Sequence, residues 1–390
     1  MFRLTRRSTN FVKLLLAILC CFGLIIWLKY HRVSLKEQLP NEPEIEKIEH
    51  VEQIEQVKLV EDTPARPVVH KKKKIAALEK IKKFIHKSNQ YDLEILADEA
   101  KIVPGLGAYG AGVRLVGKEL EKAKEVMNIS AFNRVASDKM AYDRSLPDVR
   151  DPRCKKEVYD SELPSATVVI IFTNEAWSTL IRTVWSVINR SPAKYLKEII
   201  LVDDFSDHVE LQGKLDRYVE TKFPMTTVRI IRLEERQGLI RARLAGARAV
   251  KGDVMIFLDS HCEVTFEYYS SIDYNLNNVI HFKATLGWLE PLLHRIKQNK
   301  HAVVVPIIDV IDDESLEYSF GDPTAFQIGS FTWNGHFTWI EVPEREVVRR
   351  GNPVGPTNSP TMAGGLFAMD RQYFWDLGHS LTVVHTKNGY

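Results

Sequence analysis

Cysteine is scarce in this 390-residue sequence, with four in all. Cys20 and Cys21 lie in an apolar run, which leaves Cys154 and Cys262 for the globular part. Two cysteines cannot make a disulfide-rich scaffold, and without a Cys-x-x-Cys pair a ribbon-type structural zinc site has no support. Net charge is also nearly balanced, at +2, which argues against a dedicated nucleic-acid binder. No internal repeat is visible. Gly105, Gly107, Gly110 and Gly112 form a glycine-rich loop, but it follows no clear strand and no Lys-Ser/Thr pair ends it. As a phosphate cradle it is weak. Apolar sequence is plentiful enough for a sizeable core: hydrophobic residues are 45% and charged residues 27%, ordinary values for a globular protein.

Long apolar runs are short here too. Arg3, Arg6 and Arg7 precede a stretch from Leu14 to Leu28, extended by Phe11 and Val12 with Lys13 interrupting. The uninterrupted part falls short of the ~20 residues an average bilayer needs. A thin early-secretory membrane suits a shorter span, with Lys13 and Lys29 snorkelling from its ends. A cleaved signal peptide is the alternative. Bulky Trp27, Leu28 and Tyr30 stand where cleavage wants small residues, which favours an uncleaved anchor. Arginines before the span predict a cytoplasmic N-terminus and a lumenal body. The expected organisation is a tail over 1–10, a signal-anchor over 11–28, a stem over 29–100 and a globular region over 101–378. In the stem, Ile45, Ile48, Val51, Ile54 and Val57 recur every third residue, which drifts around a helix. Pro64, Pro67 and the Lys71–Lys74 run break even that pattern, so a solvated spacer is favoured over a coiled coil. Asn128-Ile129-Ser130 is an N-glycosylation sequon, usable if the body is lumenal.

From Thr167 the pattern changes. Val168–Phe172 is a continuous apolar run rich in β-branched residues, as in strands buried on both faces. A helical spacing over Ser178–Ile188 follows, then a strand over Glu198–Val202 ending in Asp203-Asp204. A helix over Val209–Phe223, a strand over Thr227–Leu233 and a helix over Leu239–Val250 come next. A fourth strand, Val254–Leu258, ends in Asp259-Ser260-His261. Strands alternating with helices predict a doubly wound α/β domain, in which ligands gather at the carboxyl ends of the strands.

Those ends carry the candidate chemistry. Asp259 and His261 flank one residue, and in an extended segment such side chains point the same way. A carboxylate and an imidazole suit manganese, and a cation there would bridge a diphosphate. Asp203-Asp204 reads equally as a turn opener and as a ligand pair. Arg236, Arg241 and Arg243 are candidates for phosphate, with solvated helix faces as the alternative. Phe331-Thr332-Trp333 and Phe337-Thr338-Trp339 form an aromatic stretch, assigned to the core in preference to a sugar or peptide groove. Gly364-Gly365 marks either a close backbone approach to a ligand or a bulge.

In order along the chain, several segments resemble the polypeptide N-acetylgalactosaminyltransferases, which initiate mucin-type O-glycosylation. They are Asp151-Pro152-Arg153-Cys154, Asn174-Glu175-Ala176, Arg182–Val187, Ile199–Asp204, Arg236–Arg243, Leu258–Glu263, Gly287–Leu293, Gly351-Asn352-Pro353 and Pro360–Phe367. The resemblance implies a GT-A fold, a Golgi single-pass type II membrane protein and manganese. It implies transfer of N-acetylgalactosamine from UDP-GalNAc to Ser or Thr of a polypeptide acceptor. Asp259 and His261 are implied metal ligands, and Asp203, Arg236 and Ser260 donor contacts. Ala363, Gly364 and Gly365 are implied as the backbone floor beneath the sugar.

The sequence departs from that pattern in four places. Thr173 stands where the family usually has histidine. An insert over 266–285 separates Glu263 from Gly287-Trp288. After Gly378 a divergent tail, 379–390, replaces the family's Trp-Gly-Gly-Glu-Asn segment, its later metal-binding histidine and the disulfide partner of Cys154. No lectin domain follows. These departures predict weak metal retention, little or no turnover and an open sheet edge. They leave a second reading, a non-catalytic membrane-bound partner of active Golgi transferases.

Overall fold

The computed structural model describes residues 90–223, 228–265, 287–322 and 325–378. The expected anchor, most of the stem, the insert and the tail lie outside them. Among the described residues no helix is long and apolar enough to cross a membrane.

A six-stranded sheet organises the domain. Its strands are β1 (Ala166–Phe172), β2 (Leu196–Asp203), β3 (Val228–Arg232), β4 (Val254–Asp259), β5 (Val303–Val304) and β10 (Phe367–Asp370), in the order β3-β2-β1-β4-β10-β5. The first four pair in parallel, and β10 runs antiparallel to both β4 and β5. Two hairpins stand apart: β6 (Val310–Ile311) with β7 (Tyr318–Ser319), and β8 (Gln327–Phe331) with β9 (Phe337–Glu341).

The expected strands are buried on both faces because their residues alternate between two cores. Val168, Ile170, Ile199, Leu201, Ile256 and Leu258 face one cluster, while Val169, Ile200, Val202, Met255 and Phe257 face the other. Helices cover both faces. They include α4 (Trp177–Asn189), α5 (Gly213–Lys222), α6 (Leu239–Ala249) and α7 (Leu289–Gln298), preceded by α1 over 90–99, α2 (Lys118–Ser130) and the short α3 (Arg134–Ser137). Burying side chains such as Ile170 or Leu201 stabilises by about 1.5–3 kcal/mol each relative to exposure.

Residues 90–99, expected in the stem, belong instead to the body. Asp92 pairs with Arg217, Asp98 with Lys214 and Glu99 with Lys222, so three acidic residues of α1 meet three basic residues of α5. Ile95 of the same helix is buried in the core cluster and docks it, with the ion pairs at its edge.

The glycine-rich loop has a packing role. A Cβ on Gly110 would lie 2.8 Å from the Tyr318 Cβ, and the backbone there has φ +76°. Glycine is required because the chain passes hard against the β6–β7 hairpin.

β1 leads through α4 to β2 and on to β3, and α6 then returns the chain to β4 on the other side of β1. The direction of winding therefore reverses at β1 and β4. Their carboxyl ends are where a doubly wound sheet opens a crevice.

Candidate active site

Ile171 of β1 lies beside Asp259, and Phe172 beside Asp203, so the three strand ends finish level. Two strand spacings separate Asp203 from Asp259, about 10 Å laterally. The two acidic ends nonetheless differ in what their side chains touch.

On β2, Asp203 is committed within the protein. One carboxylate oxygen accepts from the Ser206 N–H at 2.8 Å and the other pairs with the Arg232 guanidinium at 2.5 Å. One bond to each oxygen ties Asp203 to the strand's own exit turn and leaves further acceptor capacity on both oxygens. Asp204 is also buried and accepts from the Gln237 N–H at 2.7 Å and the Gly238 N–H at 3.0 Å. It thereby fixes the turn into α6 next to Arg236, whose Nη2 donates to the Phe205 carbonyl at 3.2 Å.

On β4, Ser260 is held from two sides. Its hydroxyl donates to Glu175 Oε2 at 2.7 Å, and its carbonyl accepts from Thr183 Oγ1 at 2.8 Å. The same Glu175 oxygen lies 3.1 Å from His261 Nδ1. Burial pushes the Glu175 carboxyl up, but the bonds from His261, Ser260 and the Ala176 N–H outweigh it and hold the group below its ordinary value. A carboxylate only accepts, so Nδ1 of His261 is the donor, and in the neutral ring Nε2 then carries the lone pair. That free nitrogen lies 3.9 Å from Asp259 Oδ2. Two donors that share a cation at about 2.1–2.2 Å lie no more than ~4.3 Å apart, so the pair fits one ion. Among the described residues no group of three or more His, Cys, Asp or Glu converges on such a site.

The loop before β10 closes against this pair. A Cβ on Gly365 would lie 2.3 Å from Asp259 Oδ2, so glycine is required here for the backbone to approach the Asp259 carboxylate. Arg243 reaches across from α6. Its Nη2 donates to the Gly364 carbonyl at 2.6 Å and lies 4.0 Å from Asp259 Oδ1. Burial lowers the Arg243 pKa, and Asp259 works against that shift. Ala363 precedes this contact, half-buried. The structure thus gathers Asp259, Ser260, His261, Gly364 and Gly365, and adds Glu175 and Arg243 to them. The sequence places Glu175 at the polar end of the first strand but gives it no role, because its partners lie 85 and 86 positions away.

Below the site, Glu263 forms a buried two-bond pair with Arg144 Nε, at 2.9 and 3.1 Å, and Arg144 Nη1 also donates to the Leu316 carbonyl. Cys262 sits between these anchors with its thiol pushed up to about 12 by burial. Cys154 and Cys262 are both free, so the thiol beside the site is not a ready nucleophile.

The aromatic stretch assigned to the core is instead the β8–β9 hairpin at the surface. Trp333 is fully exposed, and Phe331, Phe337 and Trp339 are 58%, 41% and 45% exposed. Asn334-Gly335 at its tip, between alternating aromatics, is the hairpin signal that a purely apolar reading passes over. The hairpin adjoins the site: Gly329 bridges Thr361, and Ser359 Oγ donates to the Gly329 carbonyl.

Comparison with known proteins places this geometry among glycosyltransferases. Residues 167–272 match the family Glycosyl transferase family 2. The chain is 50% identical over 275 residues to polypeptide N-acetylgalactosaminyltransferase 13 of Homo sapiens, covering 70% of this chain and 45% of that one. It is 45% identical over 276 residues to a probable N-acetylgalactosaminyltransferase 6 of Caenorhabditis elegans, covering 70% of this chain and 41% of that one. A crystal structure of GalNAc-T7 with UDP, GalNAc and Mn2+ superimposes with a TM-score of 0.62 at 37% identity, covering 71% of this chain and 48% of that one. The chain therefore spans about half the length of the relatives it matches.

Proposed function

We propose that this chain, which belongs to the polypeptide N-acetylgalactosaminyltransferase family, binds UDP-GalNAc with Mn2+ and directs the sugar to Ser or Thr hydroxyls of a polypeptide. One observation carries the reading. Asp259 Oδ2 and His261 Nε2 lie 3.9 Å apart at the end of β4, and the Gly365 backbone closes against Asp259. Asp259 and His261 would hold a divalent cation, which would supply charge neutralisation to a leaving diphosphate. The chain's own residues do the rest. Glu175 fixes the tautomer of His261 and the rotamer of Ser260. Arg243 holds the Gly364 carbonyl and supplies a second positive charge beside Asp259. Asp204 sets the turn that carries Arg236 to the edge of the crevice. The exposed aromatic hairpin offers an acceptor polypeptide a surface next to the sugar floor.

A second reading is favoured by the absence of a third converging ligand among the described residues. With two protein ligands a cation would depend on the diphosphate for the rest of its shell, and on this reading the chain would bind donor without efficient turnover as a partner of active transferases. A transfer assay with UDP-GalNAc, Mn2+ and a Ser/Thr peptide, run beside UDP binding on the same full-length preparation, separates the two. Binding with turnover supports the transferase, and binding without turnover supports the partner. Loss of both contradicts the site.

Location in the Golgi membrane as a single-pass type II protein belongs to the same proposal. It is supported by Arg3, Arg6 and Arg7 ahead of the apolar run. Asn128 is exposed near the end of α2 and reports on it: a lumenal body gives a mobility shift on glycosidase treatment, which Asn128→Gln removes.

A further inference from the structure

We infer that Thr183 is a positioning residue for the Asp259–His261 pair, acting through the Ser260 peptide. The inference rests on the reading of that pair as a cation site. Thr183 lies in the middle of α4 and is 1% exposed. Its hydroxyl carries one hydrogen and has two carbonyls within reach, Ser260 at 2.8 Å and Thr179 of its own helix at 3.1 Å. The shorter contact leaves the helix and fixes the one residue that separates the two ligands.

The next hydroxyl along the helix serves the same loop. Ser186 Oγ donates to the Thr183 carbonyl at 2.8 Å and accepts from the Val264 N–H at 3.2 Å. Thr183 and Ser186 stand three apart, on one face of α4. They therefore grip the 260–264 loop at its two ends, while Arg144 holds Glu263 between them.

Ser260 is pinned by its side chain to Glu175 and by its carbonyl to Thr183. Its carbonyl belongs to the peptide plane that leads into His261. Release of that carbonyl lets the plane rotate, and the His261 ring swings away from Asp259. Valine has the shape of threonine without the donor, so Thr183→Val leaves a buried carbonyl unpaired beside an otherwise unchanged helix. Serine keeps the donor.

The test is a Mn2+ titration of the full chain in the presence of UDP, read by loss of the free-ion paramagnetic resonance signal, with thermal melting of the metal-free protein alongside. Partners outside the ligand shell are worth about 10–100-fold in metal affinity. Thr183→Val is expected to weaken Mn2+ by at least ~10-fold, and Thr183→Ser to stay within about 3-fold of the parent. Ser178→Ala removes a buried hydroxyl bonded to Ser137 and Asp138, away from the loop, and is expected to lower the melting temperature without moving the Mn2+ curve. Should Thr183→Val not fold, Thr183→Ala is the second probe, with the same expectation for Mn2+. A folded donor-less variant that binds Mn2+ as the parent does overturns the inference, and so does a weakening that Thr183→Ser fails to reverse. A parent chain that binds no Mn2+ overturns the cation-site reading itself, a different result from an unchanged variant.

Discussion

β2 and β4 both end in aspartate after a buried apolar run, yet the two ends do opposite things. At β2, Asp203 and Asp204 bond within the protein: Arg232 and Ser206 donate to Asp203, and Gln237 and Gly238 donate to Asp204. At β4 the fixed residue is the middle one. Ser260 is bonded at its hydroxyl and its carbonyl, and Asp259 and His261 beside it keep free edges. At β4 something other than the acid holds the loop, whereas at β2 the acids themselves do the holding.

This contrast is open to breakage, first at the base of the β4 loop. Arg144→Met leaves the buried Glu263 with only the longer Arg182 contact at 3.9 Å, and stability to urea is expected to fall by about 3 kcal/mol. An unchanged urea midpoint would mean that the loop is held at its tip alone. The next effect is at β2. Asp204→Ala strands two N–H groups and is expected to cost about 2–3 kcal/mol. Full stability combined with lost UDP binding would turn Asp204 into a substrate contact and erase the contrast.

Gly365→Ala tests the closure over Asp259. Its Cβ forces the carboxylate or the loop aside, and the expected cost is about 1–2 kcal/mol of stability, with weaker Mn2+ retention. The smallest effect is expected at the hairpin tip. Trp333→Ala removes an exposed side chain and should shift stability by less than about 0.5 kcal/mol. Any loss should appear instead in the KM for peptide acceptor, with that for UDP-GalNAc unchanged.

How much of this was legible in the sequence follows from range. The central strands were readable because double-sided burial imposes continuous apolar runs, and Val168–Phe172 and Val254–Leu258 coincide with β1 and β4 to within two residues. Asp259 and His261 were readable because their spacing in an extended segment is local. The bonding of Asp203 was not, since its partner Arg232 lies 29 positions away. The bonds of Glu175, Thr183 and Arg243 were hidden for the same reason: each reaches a residue between 77 and 121 positions distant. The hairpin failed differently. Its aromatics satisfied a core pattern, and only the Asn334-Gly335 tip pointed to a surface element.

The central claim is that Asp259 and His261 present a cation to a nucleoside diphosphate. Calorimetric titration of the full chain with UDP, with Mn2+ and with chelator, tests it most directly. The account predicts binding that depends on Mn2+ and is weakened at least ~100-fold by Asp259→Asn, more than a partner outside the ligand shell is worth, while metal-free stability is kept. UDP binding that is equally tight in chelator, or untouched in Asp259→Asn, would contradict it.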